Sequence, residues 1–192
     1  MQRPTRKIPF SPPDISEAEI QEVTETLRSG WITTGPRTKQ LERELADWIG
    51  TEKCVCLSSQ TACAEMALRL LGIGKGDEVI VPAYTYTASA SVIDHVGAKI
   101  VMIDSQPDNL EMDYDAMEKA MVEQNVKMFL MCSPHNPAGR VWTEEELERV
   151  LDICQKHQVL VVSDEIHQDL IFGNNKFVSA ASVAGGKYQD IL

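Results

Sequence analysis

Long apolar runs are missing from this sequence. No window reaches the roughly 18 consecutive apolar residues that a membrane-spanning helix needs, so we expect no contact with a membrane. The first ten residues, MQRPTRKIPF, are charged and lack the apolar segment of a signal peptide. We therefore expect a cytoplasmic protein.

Basic residues are also scarce. Lys and Arg number 18 against 29 Asp and Glu, which gives a formal net charge of −11. Binding to nucleic acid requires clustered Lys and Arg that neutralise phosphates, so we expect no nucleic-acid partner. The motifs G-x-G-x-x-G, G-x-x-x-x-G-K-[ST] and G-x-S-x-G are absent as well. Their absence argues against a Rossmann dinucleotide site, a P-loop and an α/β-hydrolase nucleophile.

Cysteines are few and odd in number, namely Cys54, Cys56, Cys63, Cys132 and Cys154. Cys54 and Cys56 are placed to share one face of a predicted strand, but no second pair stands at zinc spacing. We expect buried, reduced thiols and no metal site.

What the sequence does contain is an alternation of short apolar strands with amphipathic helices. Strands are predicted at 54–57, 78–81, 99–103, 126–132 and 159–163, with helices at 16–29, 38–49, 61–71, 87–96, 114–123 and 143–157. Such alternation predicts an α/β fold with three layers, in which helices cover both faces of a mainly parallel, doubly wound sheet. The segment Gln189–Leu192 is interpreted as the start of another strand.

Sheets of this type bind ligands at the carboxyl ends of their strands. Ser58-Ser59-Gln60-Thr61 joins a strand to a helix, which offers either an anion site at free N–H groups or a plain helix cap. Tyr84 and Tyr86 follow another strand and either stack on a flat ligand or pack against neighbouring elements.

The last two strands are also followed by polar residues. In Ser133–Arg140 (SPHNPAGR), the amide of Asn136 can donate a hydrogen bond and Arg140 can bind a carboxylate. Asp164 ends a buried strand, where it pairs with a protonated ring nitrogen or caps the next segment. His167, three residues further on, either reaches the same site or is a structural residue whose hydrogen bonds are satisfied elsewhere.

These motifs, taken together, resemble the large domain of fold-type-I enzymes dependent on pyridoxal 5′-phosphate (PLP), the aspartate aminotransferase superfamily. From about residue 8 to 120 the chain resembles DegT-like sugar aminotransferases, through IPFSPPDIS, SGWITTGP, SSQTA and EMDYDAM. From about 126 to 192 it resembles the cystathionine β-lyase-like branch of class I/II aminotransferases, through CSPHNPAGRVWTEEEL and CQKHQVLVVSDEIHQDLIF. We hypothesise a recombined chain, with residues 1–122 of the first type and 123–192 of the second, joined near Glu123–Lys127.

The resemblance implies a role for each candidate residue. Gln60 and Thr61 would hold the PLP phosphate, although the family usually has a small residue where Gln60 stands. Tyr86, preferred over Tyr84, would stack on the pyridine ring. Asn136 would donate to the phenolic oxygen, Asp164 would keep the ring nitrogen protonated, and His167 would lie near the phenolic oxygen.

The resemblance also implies what to expect of the whole. The lysine that forms the Schiff base lies roughly thirty residues beyond the aspartate in these relatives. Lys176 and Lys187 match no such motif, so residues 1–192 are expected to form a single, incomplete, C-terminally truncated PLP-binding large domain with no catalytic residues. An aminotransferase acting on an amino acid or amino sugar is the leading parent, a C–S β-lyase is the second, and a non-catalytic engineered scaffold is a third reading. Relatives are dimers, so a homo-oligomer is expected.

Overall fold

The computed structural model describes residue 9 and residues 12–192; the start of the IPFSPPDIS stretch lies outside the described residues. The described residues form six α-helices and four strands. The helices are α1 (Glu17–Arg28), α2 (Pro36–Ile49), α3 (Gln60–Leu70), α4 (Thr87–His95), α5 (Tyr114–Glu123) and α6 (Glu144–Lys156). The strands are β1 (Glu78–Pro82), β2 (Lys99–Ile103), β3 (Val126–Cys132) and β4 (Leu160–Asp164), and a 3-10 helix covers Ala180–Gly185.

The four strands form one parallel sheet in the order β2-β1-β3-β4. The chain passes from β1 to β2 on one side and then crosses back to β3 on the other side of β1. The carboxyl ends of β1 and β3 therefore flank the point where the strand order reverses. Doubly wound sheets bind their ligands in the crevice at such a point.

Side chains alternate between the two faces of the sheet because successive residues of a strand point to opposite sides. In β3, Phe129 and Met131 pack into a core shared with α5 and α6, whereas Met128 and Leu130 pack into a second core shared with α3 and α4. Two apolar cores on opposite faces confirm the predicted three-layer α/β architecture.

The helix starts follow the capping signals in the sequence. Ser16 and Glu19 form a capping box at α1, and Thr143 and Glu146 form another at α6. The two helices differ in burial, because α6 buries Leu147, Val150, Leu151 and Cys154, whereas α1 has no buried residue. Of the two, only α6 is therefore anchored by its apolar face.

The strand predicted at 54–57 is wrong. This segment pairs with no strand of the sheet in the described part of the chain, and the side chains of Val55 and Leu57 are exposed. Its Cys56 N–H instead donates to the carboxylate of Glu42, at 3.0 Å. The predicted strand start at Gln189–Leu192 is also wrong, since Gln189–Ile191 lie in turns and Leu192 belongs to no regular element. The Ile191 carbonyl nevertheless accepts a hydrogen bond from Val161 N–H of β4, at 2.6 Å.

All five cysteines are free thiols. Cys132 and Cys154 are buried as expected, but Cys54 and Cys56 are only half-buried and Cys63 is exposed on α3, so the expectation of burial was wrong for these three. Across residue 9 and residues 12–192, no helix is long and apolar enough to cross a membrane.

Candidate cofactor site

One pocket collects all six candidate residues at the carboxyl end of the sheet. Its volume is about 260 Å³. It is lined by Gln60, Thr61, Tyr86, Cys132, Asn136, Asp164, Ile166 and His167. These residues come from the start of α3 and from the segments that end or follow β1, β3 and β4, so the parallel topology brings distant parts of the sequence together.

The start of α3 forms one wall of this pocket. The Ser59 hydroxyl caps the helix by accepting a hydrogen bond from Ala62 N–H at 3.1 Å, and the Ser59 carbonyl accepts one from Cys63 N–H at 3.0 Å. The N–H groups of Gln60 and Thr61, at the first two helical positions, have no acceptor within the helix. The structure confirms that Ser59 is a helix cap. The anion site at the next two N–H groups stays a prediction.

Asp164, the last residue of β4, forms the opposite wall. Burial raises the pKa of this carboxyl, an effect that is partly offset by a hydrogen bond from Ile166 N–H, by the nearby His167 and by Gln60. Ile166 N–H donates to Oδ1 at 3.3 Å, and Gln60 Nε2 donates to Oδ2. The side chain of Gln60 thus reaches across the pocket to Asp164, and only its N–H group remains at the helix start.

The two tyrosines after β1 have different surroundings. Tyr86 lines the pocket and immediately precedes α4, and its N–H donates to the carbonyl of Asn136 at 3.1 Å. Tyr84 lines a neighbouring cavity together with His135 and Trp142, and its carbonyl lies 2.6 Å from His135 Nε2. Tyr86 is therefore the tyrosine that can contact a ligand in the pocket with Asp164.

The SPHNPAGR loop is fixed at both ends by hydrogen bonds. Ser133 N–H donates to the carbonyl of Asp164 at 2.9 Å, which ties the loop to the end of β4. His135 N–H donates to the carbonyl of Arg140 at 2.7 Å, which closes the loop on itself. Asn136 lies between these two anchors and lines the pocket.

Arg140 binds carboxylates of this same chain. Its guanidinium forms ion pairs with Glu146 at the start of α6 and, at 3.5 Å, with Glu111, and it lies over the Trp142 ring at 5.2 Å. The guanidinium is largely buried by these contacts, so the carboxylate that the sequence led us to expect is internal rather than a ligand. Arg140 therefore joins the loop to α6 and to the segment before α5.

Glu111 and Glu146 interact strongly because they are neighbours. The hydrogen bond with Glu146 raises the pKa of Glu111, and burial adds to this effect. For Glu146, burial opposes ionisation, but hydrogen bonds with Glu111 and Arg140 outweigh it and lower the pKa to about 2. At neutral pH the Glu146 carboxylate is therefore ionised and bound to Arg140.

Two residues of the pocket were missed by sequence reasoning. Cys132 is the last residue of β3, directly before SPHNPAGR, and burial raises the pKa of its thiol to about 11. The thiol therefore stays protonated at neutral pH and donates to the carbonyl of Pro134, at 3.2 Å. Ile166 stands between Asp164 and His167. The rule that strand ends line the site would have found both residues.

The fold is that of the large domain of fold-type-I PLP-dependent enzymes, and a helix start, an aromatic ring, an amide and a half-buried aspartate meet at its strand ends. The comparison with known families is specific. The chain belongs to the DegT/DnrJ/EryC1/StrS aminotransferase family, whose model matches residues 13–168. This match runs through residues 123–127, where the hypothetical join lies.

Individual relatives agree with this assignment. UDP-4-amino-4-deoxy-L-arabinose–oxoglutarate aminotransferase from Shewanella sediminis is 36% identical over 160 residues, which are 83% of this chain and 39% of that protein. The spore coat polysaccharide biosynthesis protein SpsC from Bacillus subtilis is 35% identical over 87% of this chain and 41% of its own length. The chain thus spans about two fifths of the length of the curated relatives it matches.

Solved structures extend the likeness to three dimensions. The PLP form of Spr1654 from Streptococcus pneumoniae, described as a sugar aminotransferase, is 51% identical with a TM-score of 0.73, over 84% of this chain and 43% of that chain. Cystalysin from Treponema denticola, a structure that contains PLP, is 27% identical with a TM-score of 0.71, over 85% of this chain and 44% of that chain.

Proposed function

We propose that this chain binds PLP in the pocket at the carboxyl end of the sheet. The N–H groups of Gln60 and Thr61 would hold the phosphate, and Asp164 would accept a hydrogen bond from the protonated ring nitrogen. Tyr86 would stack on the ring. Asn136 would donate to the phenolic oxygen, with His167 nearby.

The donor set supports this assignment because each part matches a different group of the cofactor. A helix start suits a phosphate dianion, an exposed aromatic face suits a flat ring, and an ionisable carboxyl suits a cationic ring nitrogen. Bound PLP supplies an electron sink whose protonated ring stabilises negative charge on an amino substrate. The residues of this chain bind and orient the ring and keep its nitrogen charged.

Asp164 is the single observation that carries the proposal. A half-buried carboxyl at a strand end forms no salt bridge within the described part of the chain, although burial makes its charge costly. A cationic ligand in the pocket would compensate this cost. His167 is the only basic side chain among the residues that line the described pocket.

Catalysis requires more than these residues provide. No lysine is among the residues that line the described pocket, and Lys187 Nζ is bound to Asp152 and to the Tyr188 hydroxyl, both at 2.9 Å. We therefore expect residues 1–192 to bind PLP reversibly without catalysing amino transfer. For the whole protein, amino transfer on an amino-sugar or amino-acid substrate is the activity we propose, because the relatives named above include sugar aminotransferases.

The origin of the chain belongs to the same proposal. The second half resembles the β-lyase-like branch, and the chain is similar in structure to cystalysin as well as to Spr1654. We propose that residues 1–122 and 123–192 derive from two related enzymes. The second candidate for the parent activity is therefore that of a C–S β-lyase. A recombined chain of this kind could also be an engineered scaffold without catalytic activity. The sequence of the source gene tests it, since one uninterrupted natural gene with this sequence would contradict it.

The test of the proposed function is a titration with PLP of the wild-type protein and of Asp164→Asn, followed by equilibrium dialysis. A charge-assisted hydrogen bond is lost in the variant, so we expect affinity to fall by about tenfold or more. Asp104→Asn is the matched control, because Asp104 directly follows β2 but is exposed beside the neighbouring cavity. Equal affinity of wild type and Asp164→Asn would contradict the proposal.

A further inference from the structure

The contact between Gln60 and Asp164 is the feature of the pocket that the proposed function does not use. Gln60 is the first residue of α3 and Asp164 is the last residue of β4, 104 positions later. The amide donates to Oδ2 of Asp164, while Oδ1 already accepts the Ile166 N–H group. Both oxygens of the buried carboxyl therefore have a donor from the chain itself.

This contact joins the two points at which the cofactor would be anchored. The proposed phosphate site is the start of α3, and the proposed partner of the ring nitrogen is Asp164. In PLP the phosphate is linked through a methylene group to a flat pyridine ring that contains the nitrogen, so a molecule that reaches both sites places its ring between them. The side chain of Gln60 spans this same gap.

We propose that Gln60 is an internal competitor of the cofactor, whose side chain must leave Asp164 before the ring nitrogen of PLP can bind there. This inference rests on the proposed binding of PLP. In the free protein the amide satisfies a buried carboxyl that would otherwise lack one of its donors. A protonated ring nitrogen forms the stronger, charge-assisted hydrogen bond with this carboxyl and displaces the neutral amide, at the cost of the contact that is lost.

Gln60→Ala is the variant that tests this role. Alanine keeps the N–H group at the start of α3 for the phosphate but cannot reach Asp164. PLP then has no hydrogen bond to displace, so we expect its dissociation constant to fall about tenfold, as for one hydrogen bond to a charged group. Gln60→Ser shortens the side chain in the same way and should show the same gain, which guards against an effect of alanine on the fold.

The matched control is Gln40→Ala. Gln40 also donates from its amide to a carboxylate, at 2.8 Å from Glu44, but this pair is exposed on α2, away from the residues that line the pocket. The control variant should bind PLP with unchanged affinity. A gain of the same size in Gln40→Ala would show that the effect does not come from the pocket, and it would overturn the inference.

A second measurement requires no cofactor. Donation from Gln60 lowers the pKa of Asp164 against the effect of burial, so Gln60→Ala should raise this pKa further. Carbon NMR of the Asp164 carboxyl across a pH series measures the change in the free protein. An unchanged pKa would show that the amide does not contact the carboxyl, and it would overturn the inference.

The outcomes for PLP separate this inference from the proposed function. Tighter binding in Gln60→Ala and Gln60→Ser supports it. Equal binding in wild type and both variants would overturn the inference about Gln60 but leave the proposed PLP site intact. Weaker binding in the variants would do the same, because it would make Gln60 a ligand of the cofactor. Failure of wild type and of both variants to bind PLP would overturn the proposed function and this inference together.

Discussion

At the scale of single residues, the ionised carboxylate of Asp164 is energetically unfavourable in the folded protein without a ligand. Burial raises its pKa above the ordinary value of 3.8, so the folded protein binds this proton more tightly than the unfolded chain does. The contribution of Asp164 to stability is therefore fully present below the unfolded-state pKa and is lost as pH rises through the folded-state pKa. The ionised Asp164 carboxylate, which the cofactor would require, thus lowers the stability of the protein when no cofactor is bound.

This linkage gives a prediction for Asp164→Asn, whose amide does not titrate. The free energy of unfolding of wild type minus that of the variant should decrease as pH rises from about 3 to about 7. Urea denaturation of both proteins, without PLP, at a series of pH values measures it. A difference that grows over this range would contradict the account.

Residue types and their order predicted which residues come to the strand ends, but not how their side chains are directed. The positions of Tyr86, Asn136 and Asp164 at one edge follow from parallel strands that end on the same side of a sheet. The contact of Gln60 with Asp164 does not follow, because it depends on a side-chain conformation between residues 104 positions apart. The same holds for Arg140, whose carboxylate partners lie on other elements.

At the scale of elements, the start of α6 fixes the loop that carries Asn136. The Glu146 carboxylate accepts a hydrogen bond from Thr143 N–H at 2.8 Å and also binds Arg140. It therefore caps the helix and holds the loop at once. The pKa of Glu146 is lowered to about 2 in the folded protein. Its contribution to stability is therefore present above its unfolded-state pKa and is lost as pH falls toward this folded-state pKa.

Glu146→Gln should therefore lower the free energy of unfolding at pH 7 by roughly 1–2 kcal/mol, through a weakened cap and the loss of one of the two carboxylate partners of Arg140. Glu145→Gln removes the same charge from the same helical turn, but Glu145 is exposed, so we expect little change. Urea denaturation of both variants measures the effect. The deficit of Glu146→Gln should narrow as pH falls from about 5 toward 2, and a deficit independent of pH would contradict the role of the charge.

Elements with a clear period and cap were predictable from sequence. The bounds of β2, β3 and α5 are those predicted, because continuous apolar strands and an Asp113 cap mark their limits. The segment 54–57 has the same apolar character but forms no strand, since a strand also requires a neighbour that supplies its hydrogen bonds. That requirement is a property of the fold and not of the segment.

At the scale of the whole molecule, the apolar side of α1 and of the loop that follows it is exposed in the part of the chain that the structure describes. Exposed side chains there include Ile20, Val23, Leu27, Trp31 and Ile32. Contiguous exposed apolar side chains of this kind are typical of association surfaces. They agree with the expectation, drawn from the resemblance, that the chain forms a homo-oligomer. We propose that a second copy covers this surface.

This proposal predicts the effect of a charge on α1. Leu27→Glu should shift the protein toward monomer in sedimentation velocity over a concentration series, because burying the new carboxylate in an interface is costly. Val122→Glu introduces the same charge at an exposed apolar position on α5 and serves as the control. A wild-type protein that remains monomeric at high concentration would contradict the proposal.

The central claim, that the pocket at the strand ends is a PLP site, is tested most directly by a crystal structure of this chain grown with PLP. The account predicts the phosphate at the N–H groups of Gln60 and Thr61, the ring nitrogen within hydrogen-bond distance of Asp164, and the Gln60 side chain turned away from it. Density for PLP elsewhere, for example in the cavity beside Tyr84, with Gln60 still bound to Asp164, would contradict it.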